Sequence, residues 1–117
     1  MSSGDAAIES LLKNNGIKYK TQFTFKDCLS EQNNLLRFDF AIFDTNGKLI
    51  ELIEYNGKQH YEPIEYFGGK KGFETLQKHD QIKNNYCKDN NIKLIIIPYT
   101  INTNNLTLQD LEVNINE

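Results

Sequence analysis

The sequence predicts an α/β domain: a helix, a three-strand meander, a second helix and a last strand, forming a mixed four-stranded sheet flanked by helices. Three observations predict it. Apolar residues recur at helical spacing in two places, at Ala7, Ile8, Leu11 and Leu12 and again at Phe73, Leu76, Ile82 and Tyr86. Between them lie two runs that alternate apolar with polar residues and a third, Leu49 to Tyr55, that is mostly apolar. After them comes an apolar run, Ile92-Lys93-Leu94-Ile95-Ile96-Ile97, which a helical crossover can lay parallel to an earlier strand.

Each element has its own signals. The first helix spans Ala6 to Lys13, with Ser3 or Asp5 as its start and Gly16 as its stop. Ile17 to Phe25 alternates Ile17, Tyr19, Thr21, Phe23 and Phe25, a strand pattern. Leu35 to Phe43 alternates again, and Asp44-Thr45-Asn46-Gly47 supplies hairpin turn chemistry. Leu49 to Tyr55 completes that hairpin. Gly57, Pro63, Gly68, Gly69 and Gly72 punctuate Asn56 to Gly72, which reads as a long loop of the kind that usually carries function. Phe73 to Asn90 is the longest helix, Pro98 stops the last strand, and Leu106 to Val113 reads as a short final helix.

At 117 residues the chain is expected to be one domain over 1–117, with 1–4 and about 114–117 disordered. No run is long and apolar enough for a membrane span, and no basic-then-apolar leader opens the chain, so a cytoplasmic protein with no membrane partner is expected. Cys28 and Cys87 stand far apart with no ligand-type neighbours and read as free thiols. A net charge of −3 argues against non-specific coating of nucleic acid. It leaves room for a nuclease, whose carboxylates a cation would neutralise. Lys70, Lys71, Lys78, Lys83, Lys88 and Lys93 gather positive charge in the second half, although lysines so spaced are as readily a solvated helix face.

The residues that carry chemistry are Asp39, Glu54, His60 and Asp80. Asp39 interrupts an apolar alternation between Phe38 and Phe40, and Glu54 closes another apolar run. An acid inside a strand costs stability unless it is paired, hydrogen-bonded or bound to a cation. Glu51 offers a second acid of opposite strand parity, so one of the two glutamates faces the site. A His after the second acidic strand is a natural general base, and Asp80 on the long helix can orient it. Gln59, Lys70, Lys71 and Lys83 are candidate DNA contacts. Tyr61, Tyr66 and Phe67 can stack on bases or simply anchor their loop.

Phe38-Asp39-Phe40, Ile53-Glu54-Tyr55-Asn56-Gly57-Lys58-Gln59-His60-Tyr61, Phe67-Gly68-Gly69 and Asp80-Gln81-Ile82-Lys83-Asn84 through Ile97-Pro98-Tyr99 occur in order along the chain. Together they resemble the PD-(D/E)XK nuclease superfamily, and within it the phage-type EDxHD group of homing endonucleases related to very-short-patch repair endonucleases. The resemblance runs from Gly4 to about Tyr99. It implies a restriction-endonuclease-like core, a phage- or bacterium-like host cell, and Mg²⁺-dependent cleavage of DNA, with Mn²⁺ able to substitute. Asp5 then falls on the first-helix acid, with Glu9 one turn on as fallback. Asp39 is the central acid, Glu54 or Tyr55 the variable position, His60 the histidine and Asp80 the last acid. Asp39 and Glu54 would hold the metal. The sequence departs from the pattern in three places. Asp5 is a methylene shorter than the usual Glu, Asn56 stands where relatives often have Asp, and no lysine follows two after Glu54. Those departures support the alternative, a catalytically weakened DNA-binding or assembly module on the same fold. Target choice would then fall to a homodimer or a separate DNA-reading domain.

Overall fold

The computed structural model describes residues 2–113. Its element order is α1 (Ser3–Asn14), β1 (Lys18–Leu29), β2 (Leu35–Phe43), β3 (Leu49–Asn56), α2 (Gly69–Asp89) and β4 (Leu94–Pro98), with short 3₁₀ turns at Lys58–His60, Glu65–Phe67 and Thr103–Asn105. The sheet runs β1-β2-β3-β4: the first three strands pair antiparallel, and β4 pairs parallel with β3. This is the α/β fold with a mixed four-stranded sheet flanked by helices that the sequence predicts.

Each helix covers one face of the sheet. Ile8 and Leu12 of α1 pack with Phe40, Ile42, Ile53, Ile95 and Ile97. Ile82, Tyr86 and Cys87 of α2 pack with Leu36, Phe38, Ala41 and Leu52. Polar ties fix both helices to β1. The Tyr19 hydroxyl donates to Glu9 at 2.9 Å, and the Tyr86 hydroxyl donates to Asp27 at 2.6 Å.

The element boundaries differ from the sequence expectation in several places. Residues 2–4 are ordered: the Ser2 hydroxyl accepts from the Asp5 amide as the α1 cap, and Gly4 is buried against the Tyr55 ring. A Cβ on Gly4 would come within 2.3 Å of that ring, so only glycine lets α1 approach β3 here. Met1 and 114–117 lie outside the described residues. β1 continues past Phe25 to Leu29, which pairs with Leu35 after a register shift. α2 begins at Gly69 rather than Phe73, so the expected loop is shorter and holds two 3₁₀ turns. Its glycines signal a helix entrance: Gly68 sits at φ 90° in the left-handed region, and Gly72 lies so close to the Phe67 carbonyl that a side chain would clash.

The expected final helix over Leu106–Val113 does not form. Thr107 and Asp110 make a capping pair and one helical turn follows, but Glu112 at φ 56° reverses the backbone. The Glu112 and Val113 amides then bond back to the Gln109 and Leu108 carbonyls, a helix-ending pattern closed within one turn. Leu111 and Val113 are thereby driven into the α1-side core.

One irregularity positions the site. Simple alternation puts Phe38 and Phe40 on the same face, yet Phe38 packs on the α2 side and Phe40 on the α1 side. The partner strand changes face at the same level, with Tyr19 on the α1 side and Phe23 on the α2 side. Gln22 lies between them at φ 51°, a left-handed conformation that costs a non-glycine residue about 1–2 kcal/mol. Regular strand alternation would set Asp39 opposite both Phe38 and Phe40, and that does not hold here. Asp39 lies at the crossover between the two faces.

Candidate active site

The β2–β3 ladder ends at Phe40 and Ile53, and beyond that point the Asp39 side chain replaces a backbone partner. The Tyr55 amide donates to Asp39 Oδ2 at 2.8 Å. Asp39 is half-buried, and burial raises its carboxyl above the ordinary aspartate value. The Tyr55 hydrogen bond opposes that rise, the negative charge of Asp5 adds to it, and Lys83 and His60 oppose it. Asp39 thus feels groups from α1 on one side of the sheet and from α2 on the other. That follows from its place at the crossover.

Among the first-helix acids, the structure brings Asp5 and not Glu9 toward Asp39. Asp5 Oδ2 accepts from the Ser2 hydroxyl at 2.9 Å, while Asp5 Oδ1 is buried with no hydrogen-bond partner. Glu9 is bound instead to the Tyr19 hydroxyl, away from the site.

Glu54 and Glu51 divide as strand parity requires. Glu54 turns to the α2 face and takes a hydrogen-bonded ion pair from Lys83 Nζ at 2.9 Å, with both side chains at most 13% exposed. Burial still pushes the Glu54 carboxyl up to about 7, with Lys83 pulling it down and Asp39 raising it further. Glu51 lies on the opposite face, also buried and also pushed up to about 7 by desolvation. Its Oε2 has no hydrogen-bond partner among the described residues. It belongs to the region of Lys93 and Glu112 and not to the site.

His60 comes from the 3₁₀ turn after β3, and Asp80 from the middle of α2. Their side chains meet at 2.8 Å, Nδ1 to Oδ2, and both are largely shielded from solvent. An imidazole held through Nδ1 has a fixed ring plane and leaves Nε2 as the nitrogen open to other chemistry. Asp80 also contributes to the electrostatics of Glu54, so the two pairs form one coupled group with Asp39.

The expected DNA contacts are less uniform. Lys70 and Lys71 are exposed in the first turn of α2 rather than in a loop. The Gln59 side chain folds back over Gly57, and its amide would have to shift to admit a Cβ there. Lys83 is not a surface lysine: its ammonium is held by Glu54 and lies 5.3 Å from the centre of the Phe38 ring. It brings positive charge into the site from α2. Tyr66 is 88% exposed and stacks edge-on against Phe67, so it does not anchor its loop to the core. Sequence reasoning missed the Asp39–Tyr55 bond and the burial of Asn56, for which the residue pattern carries no local signal.

Among the described residues, no group of three His, Cys, Asp or Glu side chains stands close enough to hold a metal ion. Mg²⁺ is commonly bound through only one or two carboxylates, with water and phosphate oxygens completing its shell. Asp5, with its buried unpartnered oxygen, and Asp39 offer two such carboxylates of like charge. That donor set fits a hard divalent cation, while Glu54 is occupied by Lys83.

No family model matches the chain. No solved structure matches it. The chain is 46% identical over 65 residues to uncharacterized protein 307L of Invertebrate iridescent virus 6, over 55% of this chain and 33% of that protein. It is 42% identical over 50 residues to uncharacterized protein 033L of Invertebrate iridescent virus 3, over 42% of this chain and 26% of that protein. It is 41% identical over 51 residues to uncharacterized protein 094L of Frog virus 3, over 42% of this chain and 33% of that protein. The matched stretches thus span about a third or less of the length of these viral relatives. Among the described residues, no helix is long and apolar enough to cross a membrane.

Proposed function

We propose that this chain is a metal-dependent DNA endonuclease with a restriction-endonuclease-like core, hydrolysing phosphodiester bonds with Mg²⁺ or, in its place, Mn²⁺. The observation that carries the reading is the convergence of Asp5, Asp39, Glu54, His60, Asp80 and Lys83, drawn from both helices, two strands and the 3₁₀ turn after β3, on the end of the β2–β3 ladder. Buried acids gathered this way cost stability, so a fold that keeps them needs a compensating role for them.

Asp5 and Asp39 would hold the cation, which when bound supplies charge neutralisation at the scissile phosphate. Their like charges make the empty arrangement unfavourable and a bound cation favourable. With Nδ1–H donating to Asp80, His60 presents Nε2 to take a proton from the attacking water. Asp80 fixes the ring and stabilises the imidazolium once the proton has moved. Lys83, paired with Glu54, offsets part of the negative charge of the acid cluster near the phosphate. Lys70 and Lys71 contribute phosphate contacts outside the site. Target choice is left to a second copy or to a separate DNA-reading domain.

The pairing of Glu54 with Lys83, which takes one expected metal ligand away, favours the alternative, a DNA-binding or assembly module with a weakened site. Titration calorimetry with Mg²⁺ and Mn²⁺ separates the two. The nuclease reading requires binding that Asp39→Asn abolishes and Asp5→Asn weakens. Binding that is absent, or unchanged in Asp39→Asn, contradicts it.

A further inference from the structure

Beside the acid cluster, between α2 and the carboxyl ends of β3 and β4, lies a cavity of about 210 Å³. Glu54, Asp80 and Lys83 of that cluster line one part of it, and Asn56, Asn84 and Tyr61 line the rest with Leu94 and Ile96. Asn56 is only 7% exposed, and its Oδ1 has no hydrogen-bond partner. Leaving such an atom unpaired costs stability, which a donor that reached it would recover. Asp80 and Asn84 also line a broader groove along α2 that reaches His60, so the cavity opens toward the His60–Asp80 pair.

We propose that this cavity receives a single nucleobase, unstacked from the DNA beside the bond that is cut. The proposal rests on the nuclease reading and adds a base-binding subsite to it. Size limits the occupant. An apolar cavity of roughly 150 Å³ takes benzene, and drug-sized ligands need about 300 Å³ or more. The space therefore suits one ring system without its sugar. Charge narrows it further. Lys83 is neutralised by Glu54, and Asp80 adds negative charge, so a phosphate or carboxylate is disfavoured there. A neutral planar group remains. The chemistry of the lining matches it: side-chain amides offer donor and acceptor side by side, the arrangement that pairs with a base edge. Tyr61, about half exposed and set against Tyr99 with ring centroids 5.8 Å apart, offers a face for stacking. Open α/β sheets also tend to bind ligands outside the carboxyl ends of their parallel strands, where Asn56 stands.

The test is an amide-detected NMR titration of the whole chain, without divalent metal, using the four deoxynucleoside 5′-monophosphates and deoxyribose 5-phosphate as control. The proposal expects saturable shifts of the Asn56 and Asn84 side-chain amides with at least one nucleotide, and none with the sugar phosphate. Asn56→Leu should weaken that binding about fivefold or more, and the exposed Asn84→Leu gives a second reading should Asn56→Leu fail to fold. Tyr61→Ala should weaken it too. No shift with any nucleotide, or equal shifts with the sugar phosphate, overturns the subsite. DNA cleavage is scored separately. Cutting without base-dependent shifts removes the subsite and leaves the nuclease reading standing. Base-dependent shifts without cutting do the reverse.

Discussion

Replacing Lys83 by methionine should destabilise the fold in a manner that depends strongly on pH. Lys83 Nζ donates to Glu54 Oε1 at 2.9 Å, and both groups are shielded from solvent. Even with Lys83 in place, burial lifts the Glu54 carboxyl from 4.5 to about 7. Because that folded value lies above the unfolded one, the native state binds more protons than the unfolded state between about pH 4.5 and 7. Stability from this group therefore falls as pH rises through that window, by up to about 3 kcal/mol at roughly 1.4 kcal/mol per unit. Removing the cation from a buried pair typically costs about 3–5 kcal/mol when the remaining charge stays. At about pH 8, where Glu54 is ionised in the native protein, Lys83→Met should approach that cost. At about pH 5.5 Glu54 takes a proton instead, and the loss shrinks toward a hydrogen bond, about 1 kcal/mol. Methionine keeps an unbranched stem near the Phe38 ring, which limits the packing change. Urea unfolding of both proteins at the two pH values reads the difference. Equal destabilisation at both would refute the buried-pair reasoning.

The other predictions concern the remaining acids and the histidine. His60→Ala should slow single-turnover cleavage by about two to four orders of magnitude with DNA binding nearly intact, and adding Asp80→Ala should cost little more. Fully additive losses would mean the two side chains act separately. Asp5→Asn should weaken both metal binding and cleavage, whereas Glu9→Gln, which loses only the Tyr19 contact, should leave cleavage unchanged. The reverse pattern would make Glu9 the site acid. Glu51→Gln should stabilise the fold by about 1–3 kcal/mol at pH 8 and little below pH 5, because the Glu51 carboxyl is also pushed up to about 7 and its ionisation opposes folding above that value. Thermal unfolding at the two pH values checks it, and a gain as large at pH 5 as at pH 8 would contradict the assigned cause.

The strand and helix order was legible because the elements carry local signals: Leu35–Phe43 alternates, a strong turn signal joins it to the mostly apolar Leu49–Asn56, and α1 repeats its apolar stripe. The errors came where long-range contacts override local pattern. Gly68, Gly69 and Gly72 look like loop punctuation, yet they form a tight helix entrance: Gly68 and Gly69 sit at positive φ, and a side chain on Gly72 would strike the Phe67 carbonyl. The last segment begins like a helix at Thr107, and only the left-handed Glu112 ends it. In the site, strand parity alone separated Glu54 from Glu51. The place of Asp39 between two faces depends on Gln22 in the neighbouring strand, which sequence periodicity cannot reveal. The role of Lys83 as the partner of Glu54 was hidden for the same reason, since 29 residues separate them in the chain.

The central claim is that these acids and His60 serve to cut DNA with a divalent cation. Incubating the purified chain with supercoiled plasmid in Mg²⁺ or Mn²⁺, beside Asp39→Ala and a chelator control, tests it most directly. The account predicts nicked or linear product from the unmodified chain with metal, and none from Asp39→Ala or with chelator. Intact plasmid under every condition, or equal cutting by Asp39→Ala, would contradict it.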